Sequence, residues 1–139
     1  MAETVSAGSL SEKELADARE LDRKLCEALG RKDVEAAMAC FWDSPDVVAV
    51  IGGEVQKGPP AVRRGFESLF AQHESVKLEV NEVTYLRSGD GIIGVGTATF
   101  DLKQVNGQRQ LLVERWSDLR RKIGGRWVYV LDHTTMVPK

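Results

Sequence analysis

Cysteine and histidine are scarce in this chain, with two of each among 139 residues. Cys26 and Cys40 lack metal-ligand spacing and fall on apolar faces of predicted helices, so they read as buried small hydrophobes rather than a disulfide. His73 and His133 lie far apart and no His- or Cys-rich spacing accompanies them, which argues against a zinc or iron site: no metal is expected. No glycine-rich loop follows a strand and opens a helix, and Gly94-x-Gly96 falls inside a strand pattern, so no nucleotide or other cofactor is implied. Long apolar runs are also missing. No stretch approaches the ~20 apolar residues needed to span a bilayer, and Met1 to Gly8 holds no basic segment followed by an apolar core. The expectation is a cytoplasmic protein with no membrane partner. Nor is there an excess of one charge, the formal net charge being −2. The basic residues are scattered except for Arg120, Arg121, Lys122 and Arg126, which gather around one predicted turn and read as a solvated hairpin tip. A nucleic-acid footprint needs a wider basic face with stacking aromatics, so no nucleic-acid partner is expected.

What is present is an ordinary globular mixture, 42% apolar and 29% charged, in a length that fits one domain and can bury about two-thirds of the surface of its unfolded chain. Residues 1–10 are read as a flexible tail and residues 11–139 as a single domain. Ser11 followed by Glu14 has capping-box spacing, and the apolar stripe Leu15, Ala18, Leu21, Leu25, Ala28 and Leu29 predicts a helix that ends at Gly30. Asp33 caps a short second helix that reaches about Cys40 and is stopped by Ser44-Pro45. The β-branched run Val47 to Ile51 turns at Gly52-Gly53 into a short partner strand, Val55 to Lys57. Gly58-Pro59-Pro60 opens a third helix with Val62, Phe66, Leu69, Phe70 and His73 on its apolar side, ending near Glu74.

Four strand-like runs follow, Val76 to Leu86, Ile92 to Leu102, Gln108 to Arg120 and Trp127 to Met136, divided by turn residues at 88–91, 106–107 and 124–125. Consecutive hairpins mean an antiparallel sheet, and the whole order gives an α+β domain with helices over one face of a curved sheet. The other face needs a cover. With Trp116 expected on it, a homodimer through that face is predicted.

The order of elements, together with Gly58-Pro59-Pro60-Ala61-Val62, Arg115-Trp116-Ser117 and the run from Gly125-Arg126-Trp127 to Asp132-His133-Thr134-Thr135, resembles the SnoaL-like branch of the nuclear transport factor 2-like superfamily over about residues 11–137. The resemblance implies a cone-shaped, cystatin-like roll: a curved antiparallel sheet covered by three helices, with a pocket inside. Ser117 and Thr135 are conservative departures from that branch's pattern. The superfamily includes isomerases, cyclases, hydrolases and dehydratases alongside adaptors and oligomerisation domains without catalysis, so the fold alone leaves the activity open. Its steroid isomerases use a tyrosine on the first helix and an aspartate on the first strand. Here Leu25 stands near the tyrosine's place and Val48-Ala49-Val50-Ile51 offers no acid, so that constellation is not expected.

If Asn106-Gly107 is a two-residue turn, Ala98 pairs with Arg115 and Gly96 with Ser117, and these side chains look toward the helices. Arg115 is then an inward arginine in need of a partner. The last hairpin has two registers: a two-residue loop at Gly124-Gly125 brings Asp132 to the same face, and a three-residue loop brings His133 opposite Arg115 together with Trp127, Tyr129, Leu131 and Thr135. The second places the larger apolar set inside. Arg115 and His133 would suit an oxyanion, His133 as general acid or base and Arg115 stabilising negative charge; the structural alternative is a tie from Arg115 to Asp132, Glu67 or a helix carbonyl, with His133 a satisfied core histidine. Trp42, Phe66, Phe70, Tyr85 and Ser117 are candidate ligand-binding residues, although aromatics at such spacings are mainly core. Gly94, Gly96 and Ala98 either leave room for a ligand or allow close packing. His73 faces either the pocket or a helix end, where an imidazole can meet free carbonyls. The functional expectation is a small-molecule ligand, apolar with an oxygen function, in a cofactor-independent isomerase, cyclase or hydrolase. The alternative is a non-catalytic homodimeric interaction or oligomerisation module.

Overall fold

The computed structural model describes residues 10–51 and 53–139, and the backbone of residues 3–5. Of the expected tail, residues 1, 2 and 6–9 lie outside the described residues, as does Gly52 of the expected Gly52-Gly53 turn. The tail is not featureless throughout: β1 (Glu3–Val5) pairs in parallel with the strand at Val83–Tyr85.

Helix α1 (Glu12–Gly30) starts as its sequence dictates. Ser11 accepts a hydrogen bond from the Glu14 N–H, and the Glu14 carboxylate accepts one from the Ser11 N–H, so two free donors of the first turn are satisfied. α2 (Val34–Met38) is capped by Asp33, whose side chain accepts from Ala36 N–H at 3.0 Å. A short hairpin, β2 (Val48–Ile51) and β3 (Glu54–Lys57), leads to α3 (Pro59–Gln72), opened by prolines at its first positions. His73 closes that helix. Its Nδ1 lies 2.8 Å from the Leu69 carbonyl, so it is the helix-end histidine of the two alternatives.

The long strands β4 (His73–Ser88), β5 (Gly91–Gln104), β6 (Arg109–Ile123) and β7 (Arg126–Pro138) form the antiparallel meander. The full sheet runs β1-β4-β5-β6-β7-β2-β3 and is mixed, because β2 joins β7 in parallel. The helices lie against its concave side and make the cone. Leu21 and Leu29 of α1, Phe41, and Val62 and Phe66 of α3 meet Phe100 and Tyr129 of the sheet in one core. No helix among the described residues is long and apolar enough to cross a membrane.

Two details of the hairpins decide which side chains enter the cone. Between β5 and β6 the loop has three residues: Gln104 N–H donates to the Gln108 carbonyl at 2.7 Å, Gly107 N–H to the Gln104 carbonyl at 2.8 Å, and Gly107 takes φ +91°. That is a type I turn closed by a left-handed glycine, not the two-residue turn expected from Asn106-Gly107. Ala98 therefore pairs with Glu114 and Gly96 with Trp116. Between β6 and β7 the loop does have two residues, Gly124 and Gly125, both at positive φ. The ladder then jumps from Arg120–Tyr129 to Leu119–Leu131, leaving Val130 as an extra, bulged residue.

The consequence for the expectations is direct. Arg115, Ser117 and His133 share one face, with Ser117 opposite His133, but it is the outer face, and Arg115 and His133 are exposed. Trp116, expected on the open face, is inside and 8% exposed. The arginine at the expected hairpin tip that was read as solvated, Arg120, is fully buried, while Arg121, Lys122 and Arg126 are exposed.

Candidate functional site

The inner faces of β6 and β7 alternate polar and aromatic side chains in a way the helices then cover. From β6 come Glu114, Trp116, Asp118 and Arg120; from β7 come Tyr129, Asp132, Thr134 and Met136. Asp118 and Asp132 are direct cross-strand partners, which places two carboxyls within reach of each other on one face.

Room for this row comes from β5. A Cβ on Gly94 would stand 2.6 Å from Arg120 Nη2 and 3.0 Å from the Trp116 ring, and one on Gly96 would stand 2.6 Å from that ring and 2.4 Å from the Glu82 carbonyl. Ala98 packs in the core cluster that holds Ala18 of α1, while Gly94 and Gly96 make way for side chains of β6. The indole of Trp116 and the guanidinium of Arg120 lie over those glycines.

At the inner end, Arg120 is held from every side. Its Nε and Nη2 donate to the two Asp118 oxygens at 3.0 and 2.9 Å, Nη2 also lies 3.0 Å from Asp22 Oδ1, and Nη1 donates to the Ala18 carbonyl at 2.8 Å. The guanidinium carbon sits 5.1 Å from the Tyr85 ring centre and 5.0 Å from that of Tyr129. Both phenols donate to Asp22, Tyr129 Oη at 2.5 Å and Tyr85 Oη to the other oxygen. Burial opposes the charge on Arg120, and Asp118 and Asp22 more than offset it, so the guanidinium stays protonated.

Toward the open end the wall changes character. A cavity of about 120 Å³ runs past Asp22 and Leu25 of α1, Phe66 of α3 and Trp116 of β6 to Asp132 and Thr134 of β7. Glu114 also lines it; burial alone pushes its carboxyl up to about 7. Burial, then Asp118 and Glu114, raise Asp132 well above the carboxylate range, and burial and Asp22 raise Asp118, with Arg120 pulling it back. Neither Glu114 nor Asp132 has a hydrogen bond or ion pair among the described residues. Among the described residues, two of the three buried side-chain polar atoms without a partner, Thr134 Oγ1 and Gln56 Oε1, belong to residues that line this cavity. Two carboxyls raised by burial above their ordinary values, set in an apolar hollow, can donate, accept or exchange a proton.

Of the residues named from the sequence as catalytic or ligand-binding candidates, only Phe66 lines the cavity directly; Asp132, the inward alternative to His133, lines it too. Tyr85 stands behind it as a ligand of Asp22, Phe70 stacks on Phe66 at 6.3 Å within the core, and Trp42 lines a separate surface hollow beside α2 and α3. Arg115, Ser117 and His133 are outside. Cys26 lines the cavity, and burial pushes its thiol up to about 12, which makes it an inert hydrophobe. Among the described residues no cluster of three His, Cys, Asp or Glu side chains is set to hold a metal ion. Asp22 was missed although the sequence carried a signal for it, an acid inside an apolar helical stripe, four residues after Ala18 and three before Leu25. Glu114, Asp118 and Arg120 carried another, three charges at alternate positions of one strand.

A sequence profile of the SnoaL-like domain matches residues 23–130, most of the chain. The chain belongs to the SnoaL-like family. Solved structures share the fold: a nuclear transport factor 2-like superfamily protein from Salmonella enterica at 17% identity and TM-score 0.82, covering 89% of this chain and 91% of that one. A cystatin-like-fold protein of unknown function from Nostoc punctiforme aligns at 20% identity and TM-score 0.77, covering 94% and 96%. A type 2 hexachlorocyclohexane dehydrochlorinase aligns at 17% identity and TM-score 0.78, covering 91% and 89%. No curated protein sequence matches significantly. The SnoaL-like chain therefore has the fold its sequence implied, and its site has to be argued from its own side chains.

Proposed function

We propose that this SnoaL-like cone binds a small, largely apolar molecule and moves a proton on it, with Glu114 and Asp132 as the acid–base pair. The observation that carries the reading is the pair of buried carboxyls without partners on the wall of an apolar cavity. They flank Thr134: Asp132 precedes it by two residues on β7, about 7 Å at strand rise, and Glu114 stands on β6 opposite Met136. A molecule lying against Thr134 meets a carboxyl at either end. Glu114, balanced near neutrality, suits a base that takes a proton from carbon, and Asp132, raised well above its ordinary value by burial and its acidic neighbours, suits the acid. Isomerisation, cyclisation and elimination all use that pair. A fold relative named as a hexachlorocyclohexane dehydrochlorinase supports including elimination among these reactions, although at 17% identity the likeness is one of fold.

The expectation of an oxyanion rested on Arg115 and His133, and with both outside the cone the groups that face a ligand are acids. The test is deuterium incorporation from heavy water into a panel of small neutral, cationic and anionic molecules, read by mass spectrometry. Exchange above the buffer blank, rising as pH passes about 7 and lost in Glu114→Gln and Asp132→Asn, is expected; exchange that both variants retain would sink the assignment.

A homodimer through the outer sheet face is part of the same proposal. Val95, Leu131 and Val137 are 44%, 42% and 37% exposed there, an apolar stripe beside Arg115 and His133. This stripe also supports the rival reading of a non-catalytic interaction module. Light scattering that gives a monomer at all concentrations would remove the dimer and the rival together.

A further inference from the structure

The unpaired wall of the cavity has a sign. The titratable groups that face it are Asp22 and Cys26 from α1, Glu114 and Asp118 from β6, and Tyr129 and Asp132 from β7, with Tyr85 of β4 behind Asp22; β3 adds the amide of Gln56 and α3 adds none. Arg120, the cation behind Asp22 and Asp118, has its guanidinium nitrogens committed to Asp118, Asp22 and the Ala18 carbonyl. What remains open is mainly acceptor oxygen: the Glu114 and Asp132 carboxyls, Gln56 Oε1 beside that amide's own N–H groups, and Oγ1 of Thr134, a residue only 7% exposed. Around them stand the rings of Phe66, Phe100 and Trp116.

An anion entering this space finds acids and no uncommitted cation. A cation finds carboxylates, free acceptor oxygens and ring faces, whose negative charge attracts it most strongly where water is excluded. We propose that the cone takes a small organic ammonium ion, with its N–H groups directed at Asp132, Thr134 and Glu114. Size follows from volume: an apolar cavity of about 150 Å³ accepts benzene, so the 120 Å³ here suits a ligand of similar or slightly smaller bulk. The inference rests on the cone being the binding site, and it replaces only the charge of the ligand's head group. Because burial raises both the Glu114 and the Asp132 carboxyl, an arriving ammonium favours their ionised forms, and the protons they carry leave as it binds.

The experiment is a two-dimensional NMR titration of the full chain with cyclopentylamine, cyclopentanol and cyclobutanecarboxylate at pH 6 and pH 8, with calorimetry of the amine in two buffers of different ionisation heat. The expected result is that the amine binds about tenfold more tightly than the alcohol at pH 8, with shifts in the cavity residues. The gap should narrow at pH 6, where protons compete, the carboxylate should not bind, and the heat should depend on the buffer through proton release. Asp132→Asn should cost the amine about tenfold and the alcohol less. An alcohol or a carboxylate that equals the amine overturns the ammonium and leaves the cone as the site. If none of the three perturbs the cavity residues, the ammonium and the binding cone both fall.

Discussion

The inner row of β6 and β7 has two ends built from the same kinds of residue, and they behave differently. At one end, Asp118, Arg120, Asp22, Tyr85 and Tyr129 close on one another until each charged group and phenol has a partner. At the other, Glu114, Asp132 and the Thr134 hydroxyl are nearly as buried and have none. A buried polar group is costly unless it is paired. The first end can therefore be accounted for by folding alone, as a tie between α1 and the sheet. The second cannot, and it is where a ligand gains most by arriving.

Breaking the tied end should give the largest effect. Arg120→Met leaves Asp22 and Asp118 buried without their cation, a change that costs on the order of 3–5 kcal/mol, measured by urea unfolding. Gly96→Ala attacks the same end through its floor, since the new methyl meets both the Glu82 backbone and the Trp116 ring; a loss of about 2–3 kcal/mol is expected, as for other overpacked cores. The open end should respond in the opposite direction. Burial raises Glu114 from its ordinary 4.5 to about 7, so the folded chain holds this proton more tightly than the unfolded chain. That contribution is complete below pH 4.5 and is lost as pH rises through 7. Glu114→Gln should then be more stable than wild type by roughly 2 kcal/mol at pH 8 and no different at pH 4, visible as a flattened dependence of the melting temperature on pH. Thr134→Val removes an unpaired hydroxyl at constant shape and should gain about 1 kcal/mol while weakening ligand binding. The smallest effect belongs to His133→Ala on the outer face, within about 0.5 kcal/mol in the monomer; a larger change that grows with protein concentration would report a dimer interface.

Most of the fold was legible in the sequence because it rests on local signals: the Ser11–Glu14 box, the prolines that open α3, and the glycines at 107, 124 and 125. The site was not, and the cause is one residue of loop length. Asn106-Gly107 reads equally as a two-residue turn or as the end of a three-residue one, and the second brings the even-numbered residues of β6 inside. Of the two registers open for β6 and β7, the loop has the two residues of the first, while the Val130 bulge puts Arg115 and His133 on one face as in the second; Arg115 faces Thr135 rather than His133, and both followed the loop error outward. An inward arginine on β6 was a sound expectation with the wrong address, since Arg120 fills that role five residues on.

Val130 carries a further implication. A polypeptide strand holds two messages, one on each side, and the bulge sets the reading frame between them. Upstream of it β7 offers the interior Tyr129; downstream it offers Asp132, Thr134 and Met136, and withholds Leu131, His133 and Thr135. Drawing Val130 into a regular ladder opposite Leu119 would shift the frame by one, setting Leu131 opposite Asp118 and His133 opposite Trp116 and turning Asp132 and Thr134 outward, so the chamber would lose its acid without altering a single side chain.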